Sequence, residues 1–177
     1  MESDLQPPPV RLQHPLIGQL YILCSDKGVA FIAFDEECFL RGVDKLNKVY
    51  RRDDVEEWLE NPPDCALETY NQLIEYLDGK RGAFNLPLDL SLTVSDFQRR
   101  VLEEVVKVPF GFTTTYGKIS ELAGGSARAV GTANSKNPIS IIIPCHRVLG
   151  SDGNLRGYGG GIPIKEALLR LESSRLI

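Results

Sequence analysis

The residues best equipped for covalent chemistry are Cys145, His146 and Arg147, which follow one another in the segment 141–148, IIIPCHRV. A free thiol has a pKa of about 8.5, so it becomes a strong nucleophile at neutral pH only beside a base or a cation. His146 offers such a base, although neighbours in sequence need not touch in space. The pattern indicates an activated cysteine. An isolated Cys-His pair would more often be a small buried thiol beside a hydrogen-bonded imidazole.

The elements around this segment must hold it rigidly. The three β-branched residues 141–143 predict a short buried strand or turn, and Pro144 then restricts the backbone before the thiol. Gly157, Gly159, Gly160 and Gly161 flank Tyr158 in a loop that could wrap a flat ligand. Pro163 suits the first turn of a final helix that runs to Glu172.

Charge is distributed unevenly along the 177 residues. Residues 1–90 carry a net charge of −8 and residues 91–177 a net charge of +4. Between residues 105 and 165 the excess of Lys and Arg is larger still, which suits a polyanionic partner and also favours a thiolate. The acidic first half predicts that any surface facing DNA belongs to the second half.

The remaining composition is that of an ordinary globular protein, with 42% hydrophobic and 25% charged residues. No apolar run could span a bilayer, and the polar, Pro-rich beginning is not a secretory signal. The four cysteines, at 24, 38, 65 and 145, show no CxxC spacing, so reduced thiols in a cytosolic or nuclear protein are expected. With only two histidines, we expect no metal and no cofactor.

In residues 1–90 the pattern predicts an α/β domain with a small antiparallel sheet. Residues 1–16 resemble a loose arm, residues 20–34 a β-hairpin, and residues 39–49 either a strand or a short helix. Helices are expected over 53–59 and over 65–77, the second capped by Asp64 and ended by Gly79. Residues 83–90 read as an edge strand or linker because of Pro87, and we expect the domain boundary there.

Residues 91–177 predict a mainly helical domain. Ser95 and Gln98 form a capping box for a helix to about Val106, with Phe97, Val101, Val105 and Val106 facing inward. Thr115 can cap a helix over 116–122, and Ser126 a second helix over 127–135 after a Gly-Gly turn. This helix-turn-helix pattern is a weak signal by itself, but its second helix is rich in Ala and Gly and could approach a partner backbone closely.

Three stretches together carry a family resemblance: TTTYGKISELAG, then ARAVGTANSKNPISIIIPCHRV, then GYGGG followed by KEALLRLE. Through them the chain resembles the O6-alkylguanine-DNA alkyltransferases, also called methylated-DNA–protein-cysteine methyltransferases. The resemblance covers residues 94–172 well and residues 1–90 only in general layout. It implies irreversible transfer of an alkyl group from O6 of guanine, or from O4 of thymine, to Cys145.

The resemblance also implies roles for single residues. His146 matches the base that deprotonates Cys145 through a water, Glu172 the carboxylate that orients the imidazole, and Tyr116 a proton donor near the flipped nucleotide. Without the resemblance, Glu172 would read as a solvated residue near a helix end. Arg147 matches a mainly structural position.

The DNA contacts and the substrate pocket follow in the same way. Arg128 matches the residue that fills the gap left by the extruded guanine, and the helix-turn-helix adds Thr115, Ala127, Ala129, Gly131 and Lys136. Asn137 matches a buried hinge, and the pocket is expected to be lined by Pro144, Val148, Tyr158, Gly159 and Gly160, with backbone groups of Cys145 and Val148 reading the guanine edge.

Gly159 departs from relatives that carry another small residue, which predicts a looser loop open to larger alkyl groups. Some relatives bind zinc in the first half, but Cys24 has no nearby His, so that metal is not expected.

Three other functions fit parts of the sequence. A non-catalytic lesion binder would lack the acceptor thiol, which is present. A transcription regulator would need polar base-reading side chains over 127–136, where Ala, Gly and Thr dominate. A thiol hydrolase would need oxyanion donors that the sequence does not reveal. We therefore expect a monomeric DNA-repair protein acting on double-stranded DNA, without a membrane partner, cytoplasmic in a prokaryote or nuclear in a eukaryote.

Overall fold

The computed structural model describes residues 11–50, 64–173 and 175–176. The chain begins with an antiparallel sheet of three consecutive strands, β1 (Arg11–His14), β2 (Gly18–Ser25) and β3 (Gly28–Ala33). The hairpin predicted for 20–34 is confirmed, with Ser25 opposite Gly28 at its turn. The prediction of a loose arm is wrong from residue 11 onward, because Leu12 pairs with Leu20 and is fully buried.

Two helices pack on this sheet. Helix α1 (Glu36–Tyr50) shows that the ambiguous residues 39–49 are helical, and α2 (Asp64–Leu77) confirms the helix predicted for 65–77. Tyr21 and Leu23 of β2 cluster with α1, whereas its Leu20 and Ile22 cluster with α2 and with the second half of the chain. Burial on both faces explains why β2 is apolar without alternation. The helix predicted for 53–59 lies outside the described residues.

The connection between the two halves runs along the edge of the sheet. Gly79 ends α2 with a φ of 71°, as predicted. The amide of Val29 donates to the Pro87 carbonyl at 2.9 Å, and the amide of Asp89 donates to the Val29 carbonyl at 2.8 Å. Pro87 is tolerated there because the sheet edge requires only its carbonyl oxygen. This agrees with an extended segment interrupted by proline.

Helix α3 (Asp96–Val105) begins at Ser95, whose hydroxyl accepts from the Gln98 amide at 3.1 Å. In a capping box Gln98 would accept in return from the Ser95 amide. Here Gln98 Oε1 accepts instead from the amide of Val94, the residue before Ser95, at 2.7 Å. The inward placement of Val106 is wrong: this residue is 42% exposed at the end of the helix. Leu102, which the apolar pattern left out, is buried in the core instead.

The predicted helix-turn-helix is present. Helix α4 (Tyr116–Ala123) is capped by Thr115, and helix α5 (Ala127–Ser135) is capped by Ser126. Gly124 and Gly125 join them with φ values of 83° and 80°, which other residues adopt only with strain. This corner is therefore sharp, and both helices pack against α3.

A small parallel sheet, which the sequence did not predict, completes the second half. Strand β4 (Phe112–Thr115) lies between β5 (Val148–Leu149) and β6 (Arg175–Leu176). Strands this short carry too few residues to show alternation. Helix α6 (Ile162–Leu171) has Pro163 in its first turn, as predicted. No helix in the described ranges is long and apolar enough to cross a membrane.

The two halves share one hydrophobic core. Leu20, Leu73 and Tyr76 from the first half belong to the same buried cluster as Ile141 and Leu168 from the second half. The inner face of α2 is thereby held against the segment that carries Cys145. This packing decides which side chains of the first half can reach the thiol and its neighbours.

Candidate active site

The backbone in front of Cys145 forms a tight, strained turn rather than a strand. The amide of Ile143 donates to the Ile139 carbonyl at 2.9 Å, and Ile141 between them has a φ of 75°, in the left-handed region that β-branched residues avoid. Asn137 ties both ends of the turn, because its Nδ2 donates to the Ile143 carbonyl at 2.9 Å and its Oδ1 accepts from the Ile139 amide at 3.0 Å. Asn137 is half-buried rather than buried, but its contacts are those expected of a hinge.

Cys145 opens a short 3-10 turn, Cys145–Arg147, and is 4% exposed. Its Sγ lies 4.0 Å from Ser140 Oγ, and its carbonyl accepts from Asn134 Nδ2 at 3.3 Å. Burial raises the pKa of Cys145, against the lowering influence of Asn137, Ser140 and Lys165. The charge of Lys165 favours the thiolate, in the direction expected of local positive charge, but burial outweighs it and the pKa of Cys145 is raised.

His146 and Glu172 meet, although 26 positions separate them. Nε2 of His146 lies 2.9 Å from Glu172 Oε1, and both side chains are fully buried. Burial lowers the pKa of His146, so the ring is neutral near pH 7. A neutral ring that donates from Nε2 to the carboxylate leaves Nδ1 as an acceptor, and Nδ1 has no hydrogen-bond partner among the described residues. No direct hydrogen bond joins the ring to Cys145 Sγ within those residues.

Glu172 is held as a carboxylate. Burial would raise its pKa, but hydrogen bonds from His146 and Arg147 lower the pKa to about 2. Arg147 approaches as a fork, with Nε 2.9 Å from Oε2 and Nη2 2.9 Å from Oε1. Its Nη1 also donates to the Val108 carbonyl at 2.5 Å. Glu172 does lie at the end of α6, but it is buried rather than solvated.

Tyr76 of α2 is a fourth member of this cluster that sequence reasoning missed. Its hydroxyl donates to Glu172 Oε1 and lies 3.3 Å from His146 Nε2. The ring is fully buried and packs against Phe84 and Phe110, with centroids 5.2 and 6.1 Å away. In sequence Tyr76 looks like one more apolar contact of an amphipathic helix, and no local signal reveals its partner.

Lys165 of α6 is the second buried group that sequence reasoning missed. Its Nζ donates to the Val148 carbonyl at 2.8 Å and to the Arg156 carbonyl at 3.3 Å. Burial lowers its pKa to about 8, while the nearby Cys145 opposes that shift. Lys165 therefore brings a positive charge close to the thiol and closes the loop that lies between residues 148 and 165.

The Tyr158 loop covers the imidazole. The Tyr158 ring lies edge-on to His146 and to Phe34, with centroids 6.3 and 5.6 Å away. Gly160 is required because a Cβ there would lie 2.8 Å from the Phe34 ring. At Gly159, by contrast, a Cβ would meet nothing closer than Ser140 Oγ at 4.0 Å. Gly159 and Ser140 also line a cavity of about 440 Å³ between the two halves. Pro144 and Val148 are buried beside the thiol.

Tyr116 lies where α4 and α5 meet. A Cβ at Gly131 would lie 3.9 Å from the Tyr116 ring, so the small residue lets the two helices approach closely. Burial and the neighbouring Cys145 raise the pKa of Tyr116, which keeps its phenol protonated. The structure thus brings Tyr116 towards the thiol. Thr115 caps α4, with Oγ1 3.1 Å from the Lys118 amide.

Within the basic stretch of residues 105–165, the exposed positive charge that no described carboxylate pairs with lies at the two ends of α5. Lys107, Lys118 and Arg156 of the basic stretch pair with neighbouring carboxylates, and Arg147 and Lys165 are buried. Arg128 and Lys136 are exposed, and neither forms an ion pair within the described part of the chain. Ala127 is exposed and Ala129 half-buried on the same helix. The basic field predicted from sequence is therefore concentrated on α5.

No group of three or more potential metal ligands occurs in residues 11–50, 64–173 and 175–176.

Comparison with known proteins gives matches over both halves of the chain. Residues 96–174 match the family model of the DNA-binding domain of 6-O-methylguanine DNA methyltransferase, and residues 12–90 match the model of its ribonuclease-like domain. A methylated-DNA–protein-cysteine methyltransferase of Methanosarcina barkeri is 44% identical over 162 residues, covering 90% of this chain and 94% of the relative. The Mycobacterium tuberculosis protein of the same name is 52% identical over 115 residues, covering 64% and 68% respectively. The crystal structure of Mycobacterium tuberculosis OGT in complex with DNA superposes with a TM-score of 0.70 at 34% identity, over 92% of this chain and 91% of that one.

Proposed function

This chain belongs to the methylated-DNA–protein-cysteine methyltransferase family, and we propose that it repairs DNA by transferring an alkyl group from O6 of guanine to Cys145. The observation that carries the proposal is the buried Cys145 thiol beside a neutral His146 whose Nε2 is anchored to the Glu172 carboxylate. O4-alkylthymine is proposed as a second substrate. The open space at Gly159, where a Cβ would meet nothing closer than Ser140 Oγ at 4.0 Å, supports acceptance of groups larger than methyl.

In the proposed reaction the sulfur of Cys145 attacks the carbon bound to O6. The C–O6 bond breaks as the S–C bond forms, and the electron pair of the broken bond stays on the guanine. His146 Nδ1 takes the thiol proton through a water, and Glu172 stabilises the resulting imidazolium. Tyr116 gives a proton to the guanine, and the phenolate so formed regains a proton from the His146 imidazolium through water. Tyr116 and His146 are thereby restored, and in net terms the thiol proton ends on the restored base.

The product thioether has no good leaving group, so we propose that each molecule acts once. The guanine O6 lies inside a duplex, and we propose that the nucleotide is flipped into the site while Arg128 fills the space it leaves. The exposed position of Arg128 on α5 and the close packing of Tyr116 on Gly131 support this docking.

We also propose that residues 1–90 and 91–177 are two domains. The matches to the two family models support this division, because one ends at residue 90 and the other begins at residue 96. The second domain would carry the acceptor thiol and the DNA surface. The first would supply Tyr76 to the His146–Glu172 pair.

Stoichiometry tests the proposed function. After incubation with excess duplex containing one O6-methylguanine, we expect the intact protein to gain the mass of one CH₂ and no more. Tryptic peptides should place it on Cys145, because no described residue gives the other thiols a neighbouring base of this kind. The same duplex with unmodified guanine is the control. Continued turnover, or equal labelling of Cys24, Cys38 or Cys65, would contradict the proposal.

Replacing Arg128 with Ala should slow repair of duplex DNA by about two orders of magnitude more than repair of a single strand, because only the duplex must be held open. Lys136→Ala is the matched control, since Lys136 is also exposed at α5 and should act only on phosphates. Single-turnover rates on both substrates measure the difference. An equal loss on both substrates in Arg128→Ala would make Arg128 a simple phosphate contact.

A further inference from the structure

Two thiols far from the proposed acceptor lie against each other in the first half of the chain. Sγ of Cys65 is 2.8 Å from Sγ of Cys24, across a sequence separation of 41 residues. Cys24 belongs to β2 and is buried, whereas Cys65 is the second residue of α2 and is half-buried. Cys65 is therefore the less buried residue of the pair, and Cys24 lies in the core against it.

The surroundings of the pair favour chemistry on Cys65. A thiol in the first turn of a helix faces the positive end of the helix dipole, which stabilises a thiolate. Thr69 Oγ1 lies 3.9 Å from Cys65 Sγ and 4.0 Å from Cys24 Sγ, so the hydroxyl faces both sulfurs. The hydrogen bond between the sulfurs lowers the pKa of Cys65 and raises that of Cys24. Cys65 is thus the attacking thiol, and Cys24 is the resolving thiol, which reacts second.

We propose that Cys24 and Cys65 form a dithiol site that low-molecular-weight disulfides oxidise to an intramolecular disulfide. The Cys65 thiolate attacks one sulfur of the small disulfide, forming a mixed disulfide and releasing one small thiolate. Cys24 loses its proton and attacks Cys65 Sγ, forming the protein disulfide and releasing the second small thiolate. Two protein thiols are oxidised, and one small disulfide is reduced to two small thiols. The protons lost by Cys24 and Cys65 end on these two small thiols.

The geometry allows the second step with little movement. A disulfide requires an S–S distance of about 2.05 Å, so the sulfurs must approach by less than about 1 Å from their present contact. The bond would tie β2 to the start of α2, the helix that carries Tyr76 to Glu172. Excess small thiol would reverse the reaction, in keeping with free thiols in the structure.

Cys38 provides a matched comparison within the same protein. It is half-buried like Cys65 and lies in the first turn of a helix, α1, but no described sulfur contacts it. It should form mixed disulfides that do not resolve. Replacing it with Ser removes this background and leaves Cys24, Cys65 and Cys145 as the thiols under test.

The experiment treats Cys38→Ser protein with glutathione disulfide, quenches with acid, and measures intact mass and disulfide-linked peptides. We expect the loss of two hydrogen atoms, a linked pair of peptides holding Cys24 and Cys65, and Cys145 still reduced. Adding Cys24→Ser should leave one glutathionyl group on Cys65, and adding Cys65→Ser should leave neither a link nor an adduct.

A lasting glutathionyl group on Cys65 in the presence of Cys24 would overturn the proposal, as would a link to Cys145 or unreactive thiols. If circular dichroism shows that Cys24→Ser folds poorly, Cys24→Ala replaces it. The peptide map of the Cys38→Ser protein shows whether Cys24 and Cys65 become linked, and it needs neither of these variants. The oxidised protein should still accept one methyl group on Cys145. This readout separates the dithiol site from the proposed repair reaction.

Discussion

Cys145→Ser protein is expected to transfer no alkyl group above background, a loss of about 10⁴-fold or more, while still binding DNA that contains O6-methylguanine. Serine is close in size, so the turn held by Asn137 should persist. Its hydroxyl is a much weaker nucleophile towards carbon than a thiol, and His146 cannot make it an alkoxide. The loss therefore isolates the chemical step from binding.

Single-turnover transfer and gel-shift titration on the same duplex measure the two properties. Cys38→Ser is the control, because this half-buried thiol lies on α1 and makes no contact with Cys145. Its transfer rate should equal that of the unchanged protein. Methyl transfer by Cys145→Ser protein to any other cysteine would show that the acceptor has been assigned wrongly.

His146→Ala and Glu172→Gln are each expected to slow transfer by about 10²- to 10⁴-fold, with the double variant little slower than the worse single one. The reason is the shared contact of 2.9 Å: without the carboxylate the ring loses its orientation, and without the ring the carboxylate has no proton transfer to assist. Tyr76→Phe should slow transfer by a smaller factor, because it removes one donor to Glu172 and leaves the packed ring.

The pH profile distinguishes the relay from a loss of structure. His146 must be neutral to accept the proton, and burial lowers its pKa from the ordinary value of 6.5. The transfer rate of the unchanged protein should therefore fall only below pH 6.5. In His146→Ala the rate should instead rise with pH towards the thiol pKa, which burial raises above 9.0. The gap between the two proteins should therefore narrow as pH rises from 7 to 9.

Urea unfolding of each variant is the necessary control, because Glu172→Gln leaves Arg147 buried without its carboxylate. Rates are compared only for variants that remain folded under the assay conditions. Multiplicative effects of the two changes, or an unchanged rate in His146→Ala, would mean that Cys145 is activated by another group. Lys165, whose charge favours the thiolate, would then be the next residue to test.

Local signals were sufficient for much of the fold. The hairpin, α2, α3 and the two helices of the helix-turn-helix follow from apolar periodicity, from caps such as Ser95 and Thr115, and from glycines that only a turn accommodates. These features depend on residues within a few positions of one another. The errors fell where burial depends on distant partners: Leu12 in β1, Val106 at the end of α3, and the parallel sheet around β4.

The sequence by itself determined the candidate nucleophile, the neighbouring imidazole and the small-residue helix, because these are matters of residue type and short spacing. Only the tertiary structure decided that His146 meets Glu172 and that Tyr76 joins them from the other half. Within the basic stretch 105–165, it decided as well that Arg128 and Lys136 are the exposed charges without an ion pair to a described residue. It also decided that burial keeps the Cys145 proton in place. Solvation and long-range packing set these properties, and both arise only when separate parts of the chain close around one core.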